Sequence, residues 1–359
     1  MALKVYERHL GREIYGATLL VLAAFLALFA FFDLITELDD VGKEGYELRH
    51  ALAYVALTLP GRVYEILPIA VLIGSLYALT LLARHSEITV LRTAGLSTAE
   101  LLLTLGKIGA AFVLLSFVVG EFIVPPVERA AQQLRLTVQS HMVVKEFRSG
   151  LWVKDGLSFI NVRDVLPDAS LRGVRVYAFD AGYRLQSISE AEEGRYVPAG
   201  HWRLTNVAQT VFEGERARVL HQDEVKWASA LNPDILSVLL VVPERMSIIN
   251  LYEYVQYLSD NRQKTQRYEI ALWKKLIYPF ATLVMMALAL PFAYSHNRMS
   301  AVSVKVFAGV MLGIVFNMLN GLFSNLGVIN SWQPLFSAVT PSIMFLLAAG
   351  SMLWWVERR

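Results

Sequence analysis

The chain alternates long apolar stretches with one long polar interval, and that pattern predicts an architecture before any single residue is considered. A helix crossing a hydrocarbon core of about 30 Å needs about 20 mainly apolar residues. Three such stretches come first: Ile14–Phe32, uncharged between Glu13 and Asp33; a second within Ala51–Ala83, whose unbroken apolar part is Ile66–Ala83; and Leu101–Val124. Lys107 and Glu121 lie near the ends of the third, where long side chains can snorkel. Three more follow the polar interval, Leu276–Tyr294, Val306–Leu326 and Leu335–Val356. Six spans in a three-plus-three arrangement are predicted. Pro60, Arg62 and Glu65 precede the apolar part of the second, so that helix is expected to project beyond the bilayer. Pro125–Pro126 is expected to end the third, with Arg129–Gln139 continuing as a stalk.

Between the halves the period falls to two. Ser158–Val165, Gly173–Phe179, Trp202–Val207 and Ala217–Trp227 alternate, or nearly alternate, apolar with polar residues. Gly156, Pro167, Gly173, Gly182, Pro198, Gly200 and Gly214 punctuate them. Short strands at a spacing of about 8–12 residues predict an antiparallel sandwich or jelly roll. Met246–Leu258 has apolar residues at Ile248, Ile249, Leu251, Tyr252, Val255 and Leu258, the spacing of an amphipathic helix leading back to the membrane. The predicted fold is an α-helical membrane protein with six transmembrane helices and an inserted all-β, jelly-roll-like domain. Residues 1–125 carry spans one to three, 126–266 the β-domain with its closing amphipathic helix, and 267–359 spans four to six.

Composition agrees. Of 359 residues, 55% are hydrophobic and 18% charged, against about 25% charged in soluble domains, which excludes a disordered chain and does not fit a soluble enzyme. A net charge of +2 gives no footprint for nucleic acid. The absence of cysteine excludes disulfide frameworks, thiolate catalysis and Cys-ligated metal sites. Residues 126–266 hold 17 basic and 17 acidic residues, so the inserted domain is neutral. The first span has a basic leader (Lys4, Arg8, Arg12) but too long an apolar run, and no small-residue cleavage site, for a signal peptide. Lys4, Arg8, Arg12, Arg84, Arg92, Arg298, Lys305, Arg358 and Arg359 fall on one face, while Asp33–His50 opposite carries Lys43 and Arg49 among six acids. Both termini are therefore expected to be cytoplasmic and the β-domain outside. Trp332, Trp354 and Trp355 bracket the last span as interfacial anchors.

Chemistry is sparse. Gly11-x4-Gly16 lacks the lysine of a phosphate-binding loop, and no zinc-protease helix, nucleophile elbow or acidic calcium loop is present. The seven histidines are scattered. The span centres hold none of the ionisable residues that proton-coupled carriers use, so any energy source is expected on another chain. The loop between spans two and three, Ala83–Ser97, has helical periodicity from Glu87 to Ala94, with Ile88 and Leu91, and Val90 at the margin, on one side. Arg84, Ser86, Glu87 and Arg92 surround them, and Gly95 supplies a stop. Such a helix is either a headgroup-seated anchor or a coupling helix for an ATPase. At the other end, Arg62, Arg267, Lys274 and Lys275 lie near helix mouths. They either contact phospholipid headgroups or form a collar for a phosphorylated lipid. Spans one and five carry Phe25, Phe29, Phe32, Phe307, Met311, Phe316 and Phe323, the composition an acyl-chain cavity would need. Asn317 and Asn320 are three apart and expected on one face, toward a neighbouring helix or a wet cavity.

Several segments carry a resemblance: Arg84–Gly95, Gly120-Glu-Phe-Ile-Val-Pro125, Gly150-Leu-Trp-Val-Lys-Asp-Gly156, Asn250–Leu258 and Arg267-Tyr-x4-Trp273-x-Lys275-x3-Pro279. With the three-plus-three layout they resemble the lipopolysaccharide export permeases, the LptF/LptG family, and within it the LptG branch. The resemblance implies one permease half of an ABC exporter in a Gram-negative inner membrane. Its partners would be an LptF-like permease, two LptB-like ATPase subunits holding ATP and Mg, and an LptC-like single-span protein. This chain would carry no cofactor. The substrate would be lipopolysaccharide, drawn into a cavity between the permeases and passed to a periplasmic bridge. Glu87 and its neighbours would form the coupling helix, and spans one and five the cavity wall and gates. Family members with Lys near the outer end of span one contrast with Asp33, Glu37, Asp39 and Asp40 here, so headgroup capture would fall to Arg62, Lys274, Lys275 or the partner permease. Two rivals stand. A lipoprotein-type exporter subunit typically has one span before its outer domain and three after. A membrane-embedded lipid-modifying enzyme needs a nucleophile, metal or acid/base pair, and no motif supplies one.

Overall fold

A computed structural model describes residues 4–43, 45–138, 150–166, 170–197, 200–214, 216–229, 231, 233, 236, 242–294 and 302–358. Six of its helices are long and apolar enough to cross a membrane, three on each side of the sheet in sequence. In chain order these are α1 (Val5–Leu38), α2 (Leu48–Arg84) and α4 (Thr98–Val118), then α7 (Gln266–Tyr294), α8 (Val302–Asn330) and α9 (Pro334–Glu357). A short α3 (Glu87–Thr93) joins α2 to α4, and α6 (Ile248–Asp260) precedes α7.

The third span does not stop at Pro125–Pro126. It passes through one π-type turn, Val119–Ile123, closed by Val124 N–H donating to Val119 O, and continues as α5 (Val124–Val138). The prolines directly follow the π turn, and this wide turn accommodates their missing N–H groups and absorbs the change of register.

The chain divides into two compact units: Met1–Asp33, Thr58–Pro126 and Gln266–Arg359 form one, and Leu34–Leu57 with Val127–Thr265 the other. In the first, α2 is the central helix. Of its most apolar window 78% is buried, against 11% for α1 and 22% for α8. Small residues bring the neighbours close: Gly74 of α2 lies against the Thr18 backbone of α1, and Gly309 and Gly313 of α8 lie against Leu76 and Ile69 of α2. Without a hydrophobic drive between helices in lipid, such backbone approach supplies the packing. Leu10, Ile14, Leu67, Leu72, Leu76, Leu79, Leu105 and Met285 fill the core.

In the second unit, six antiparallel strands succeed one another in chain order: β1 (Leu151–Asp155), β2 (Ser158–Val165), β3 (Leu171–Phe179), β4 (Leu185–Val197), β5 (His201–Glu213) and β6 (Arg216–Trp227). These connections are a meander. Among the described residues no Greek-key exchange between two sheets occurs, because tight turns join neighbours, as at Gly156 (φ 57) and Gly214 (φ 64). Two strands lack the predicted pattern. β1 is short, and β4 runs Ser-Glu-Ala-Glu-Glu-Gly through its middle. There a Cβ added at Gly194 would stand 3.0 Å from Leu204 Cδ2, in contact also with Leu171 and Val174, so the Leu204 side chain would have to shift. Val153, Ile160, Val162, Val174, Trp202 and Leu204 are buried, and Trp202 Nε1–H donates to Leu231 O at 2.6 Å.

Ser247 caps α6, accepting from Asn250 N–H. Tyr257 of α6 donates to Lys154 O of β1 at 2.9 Å, and burial beside Asp155 pushes its phenol up to about 12. In the hairpin before α2, burial and the Glu37 carboxylate, which accepts its proton at 2.9 Å, push the Tyr46 phenol up as well.

Candidate functional site

Two regions of the first unit hold the predicted site residues. The first is α3. Seven residues make too short a helix to persist on propensity alone, so its contacts define it. Arg84 ends α2, exposed. Ser86 turns the chain with φ 62, and Ile88 is buried in the core with Leu91 packed against it. Glu87 Oε2 lies 2.9 Å from His9 Nε2 of α1. The Arg92 guanidinium stacks 4.8 Å over the Tyr294 ring of α7. Gly95 (φ 96) closes the helix, with Gly95 N–H donating to Arg92 O and Leu96 N–H to Leu91 O. Ser97 then starts α4 with a reciprocal capping box to Glu100.

Val90 departs from expectation. It is 62% exposed, turned away from Ile88, with Thr89 and Thr93 exposed beside it. The core takes Ile88 and Leu91, three apart on one face, and the helix is too short to bury a third. The result is an outward face carrying Val90 with Thr89 and Thr93.

The second region lies at the Asp33 end of α1. Arg62 of α2 grips Asp33 with two hydrogen bonds (Nε–Oδ2 3.0 Å, Nη2–Oδ1 2.8 Å), adds Glu65 at 3.3 Å, and sits 5.5 Å over the Phe29 ring. Lys275 is 5% exposed with Nζ 3.9 Å from Glu121, and Lys274 is half-buried beside it on α7. Arg62 and Lys275, expected near helix mouths, are thus part-buried and buried, each beside a carboxylate. In low dielectric each side chain is held by a carboxylate of its own chain.

The aromatic residues divide. Phe32, Phe307 and Met311 are exposed, on the faces of α1 and α8 that also carry Leu28, Phe31, Ile35, Val304, Ile314, Met318 and Leu322. Phe25 is packed against the core, and Phe323 stands 6.3 Å from Trp332. Phe316 is a correction: it is buried, its ring 5.0 Å from Phe345 of α9. The asparagines also part, because the face boundary runs between them. Asn317 is exposed, and Asn320 is buried with Nδ2–H donating to Phe316 O at 3.0 Å.

Several residues here gave no sequence signal: His9 and Tyr294 beside α3, and Tyr64 and Tyr278 at the other end; Asp33 and Glu65 were noted as charges, but not as partners of Arg62. Tyr278 donates to Glu65 O at 2.6 Å and its ring lies 5.0 Å from that of Tyr64.

The chain matches, over residues 8–356, the family described as "Lipopolysaccharide export system permease LptF/LptG". Among similar curated proteins, a "Lipopolysaccharide export system permease protein LptG" of Escherichia coli (strain K12) is 30% identical over 99% of this chain and 98% of its own. Its namesake in Haemophilus influenzae is 29% identical, covering 98% of both chains.

Proposed function

The chain belongs to the LptF/LptG family of lipopolysaccharide export system permeases, and on that premise we propose that it works as one half of an ATP-driven exporter in a Gram-negative inner membrane, docking its ATPase through α3. The observation that carries this reading is the construction of α3. Ile88, Leu91 and Arg92 fix it to the bundle between α2 and α4, while Val90 and Thr93 face away. A helix so seated transmits a push from outside to two spans at once. The partner is an LptB-like ATPase carrying ATP and Mg, one copy beneath each permease. Glu87 is its contact, and docking replaces the His9 pairing, which is exposed enough on both sides to be weak.

The exposed apolar faces of α1 and α8 suit an LptF-like second permease. Phe32, Phe307 and Met311 would then line the space between the two chains, with an LptC-like single span alongside. Moving acyl chains through water would cost about 0.8 kcal/mol per CH₂, tens of kcal/mol for one lipopolysaccharide, so a covered apolar path is required. Both termini lie in the cytoplasm in this reading, and the sheet lies in the periplasm on the route outward.

Co-expression with the neighbouring operon genes, followed by purification in detergent, tests the proposal. Recovery of a second six-span chain and a P-loop ATPase is expected. Glu87→Ala should cut ATPase retention or coupling at least tenfold with an unchanged melting temperature. Normal export coupled to normal ATP hydrolysis in that variant refutes the docking role of Glu87. A chain recovered alone refutes the complex.

A further inference from the structure

Two of the segments that resemble the family, Gly120–Pro125 and Arg267–Pro279, are brought together by the fold. Each contains a charged residue four positions before a proline: Glu121 before Pro125, and Lys275 before Pro279. Tyr64 stands likewise before Pro68 on α2. In an α-helix the N–H at i+4 serves the carbonyl at i, and proline has none. At Pro68 and Pro279 the regular i+4 bond to the Tyr64 and Lys275 carbonyls cannot form, and on the third span the π turn and the two prolines break the α-helical pattern.

These three residues meet. Lys275 Nζ lies 3.9 Å from Glu121 Oε2, with side chains 5% and 11% exposed. Gly120 admits the Tyr64 ring against its backbone, since a Cβ there would stand 2.5 Å from Tyr64 Cε2. The Tyr64 and Tyr278 rings are 5.0 Å apart, and Tyr278 binds the Glu65 carbonyl on α2. On the third span the interruption takes the form of the π turn Val119–Ile123, which contains Glu121 itself.

A helix bends where its hydrogen-bond ladder is interrupted, at prolines and π turns. One interrupted helix is a local kink. Three interrupted at one packed level form a hinge layer, across which the portions of α2, α4 and α7 nearer α3 can tilt against the remainder. A buried ion pair is a poor source of net stability but a strong constraint on arrangement, because separating its charges in low dielectric is costly. We propose that Lys275 and Glu121 are the latch of this hinge, holding the helices in one setting until the transport stroke bends them. The hinge belongs to the chain by itself. Only its use in the stroke rests on the export reading.

The test compares Glu121→Gln, Lys275→Met, the neutral double variant, and the swap Glu121→Lys with Lys275→Glu. Hydrogen exchange is read on the full chain in lipid nanodiscs, with no ATPase present. Lipopolysaccharide delivery is read in cells depleted of their own copy. The neutral double variant should melt like the parent yet exchange at least tenfold faster at residues 119–126 and 275–283 only, with delivery reduced several-fold. The swap should restore both. Unchanged exchange in the double variant overturns the latch, as does a swap that behaves like the double variant. Faster exchange with full delivery overturns its part in the stroke. A single variant that fails to fold leaves a lone buried charge, and the double variant and swap then decide. Loss of ATPase binding would leave the exchange result standing, so the two readings fail separately.

Discussion

Replacing Gly74 with alanine gives the sharpest test of how α1 is seated on α2. An added Cβ would stand 2.5 Å from Thr18 Cα and 2.6 Å from Thr18 N. Carbon atoms in contact sit about 3.5–4.0 Å apart, so the shortfall is about 1.0–1.5 Å. The obstacle is main chain and cannot rotate aside. One helix must therefore move, disturbing Ile14, Leu22 and Leu67 along with it. Overpacking of this kind costs about 1–3 kcal/mol, against at most about 1 kcal/mol gained by replacing a helical glycine. Gly16, Gly106 and Gly321 are helical glycines with nothing within 4 Å of the added atom, and they isolate the propensity gain. Gly313 is intermediate, because its obstacle at 2.6 Å is the Ile69 side chain, which can turn. Thermal unfolding of the full chain in detergent should rank Gly74→Ala lowest, then Gly313→Ala, with Gly16→Ala at or above the parent. A Gly74→Ala protein that melts with Gly16→Ala refutes the close crossing.

Trp202→Ala should remove about 3–5 kcal/mol from the sheet unit, read as faster protease cleavage between β5 and β6; Trp202→Phe should lose less, because it keeps most of the volume and forfeits only the bond to Leu231 O. The raised Tyr257 pKa means that the folded state holds this proton more tightly, so its stabilisation is complete below about pH 10 and is lost as pH rises toward about 12. The 295 nm difference titration between parent and Tyr257→Phe should show a step near pH 12; a step near pH 10 contradicts the burial. Arg62→Met should leave the affinity for phosphorylated glycolipid in nanodiscs within twofold, whereas Asp33→Asn should raise it; a several-fold loss in Arg62→Met sinks the assignment of that guanidinium to Asp33.

The membrane half of the fold was legible because hydropathy reports burial in lipid residue by residue. The helix through Pro125–Pro126 was not, because the π turn that accommodates the prolines has no signature of its own in composition. In the sheet, β2 could be read from its alternation. β4 is acidic and interrupted by Gly194, and is held as a strand by the ladders on its two sides and the close approach of Leu204. The end of α3 was visible in Gly95, but the side taken by Val90 depended on how much of a seven-residue helix the bundle could cover. Pairs such as Arg62 with Asp33, or Lys275 with Glu121, were out of reach of periodicity. Their partners lie on other helices, and only packing decides which of several carboxylates is met.

That last point changes the electrostatics of the Asp33 end. Read along the sequence, Arg62 and Lys275 look like cations offered to a phosphorylated ligand. In the fold Arg62 makes two parallel bonds to a carboxylate, the strongest geometry a guanidinium has, and a second carboxylate stands 3.3 Å away. One cation between two acids is formally net negative. A phosphate approaching it must displace Asp33 and meet Glu65, and gains nothing over the bond it breaks. Lys275 lies deeper, 3.9 Å from Glu121. Both side chains are thus spent on holding α1 to α2 and α4 to α7. The same low dielectric that makes an unpaired charge expensive turned them inward. Among the described residues, the exposed faces of α1 and α8 are apolar, while these two ion pairs join α1 to α2 and the third span to α7.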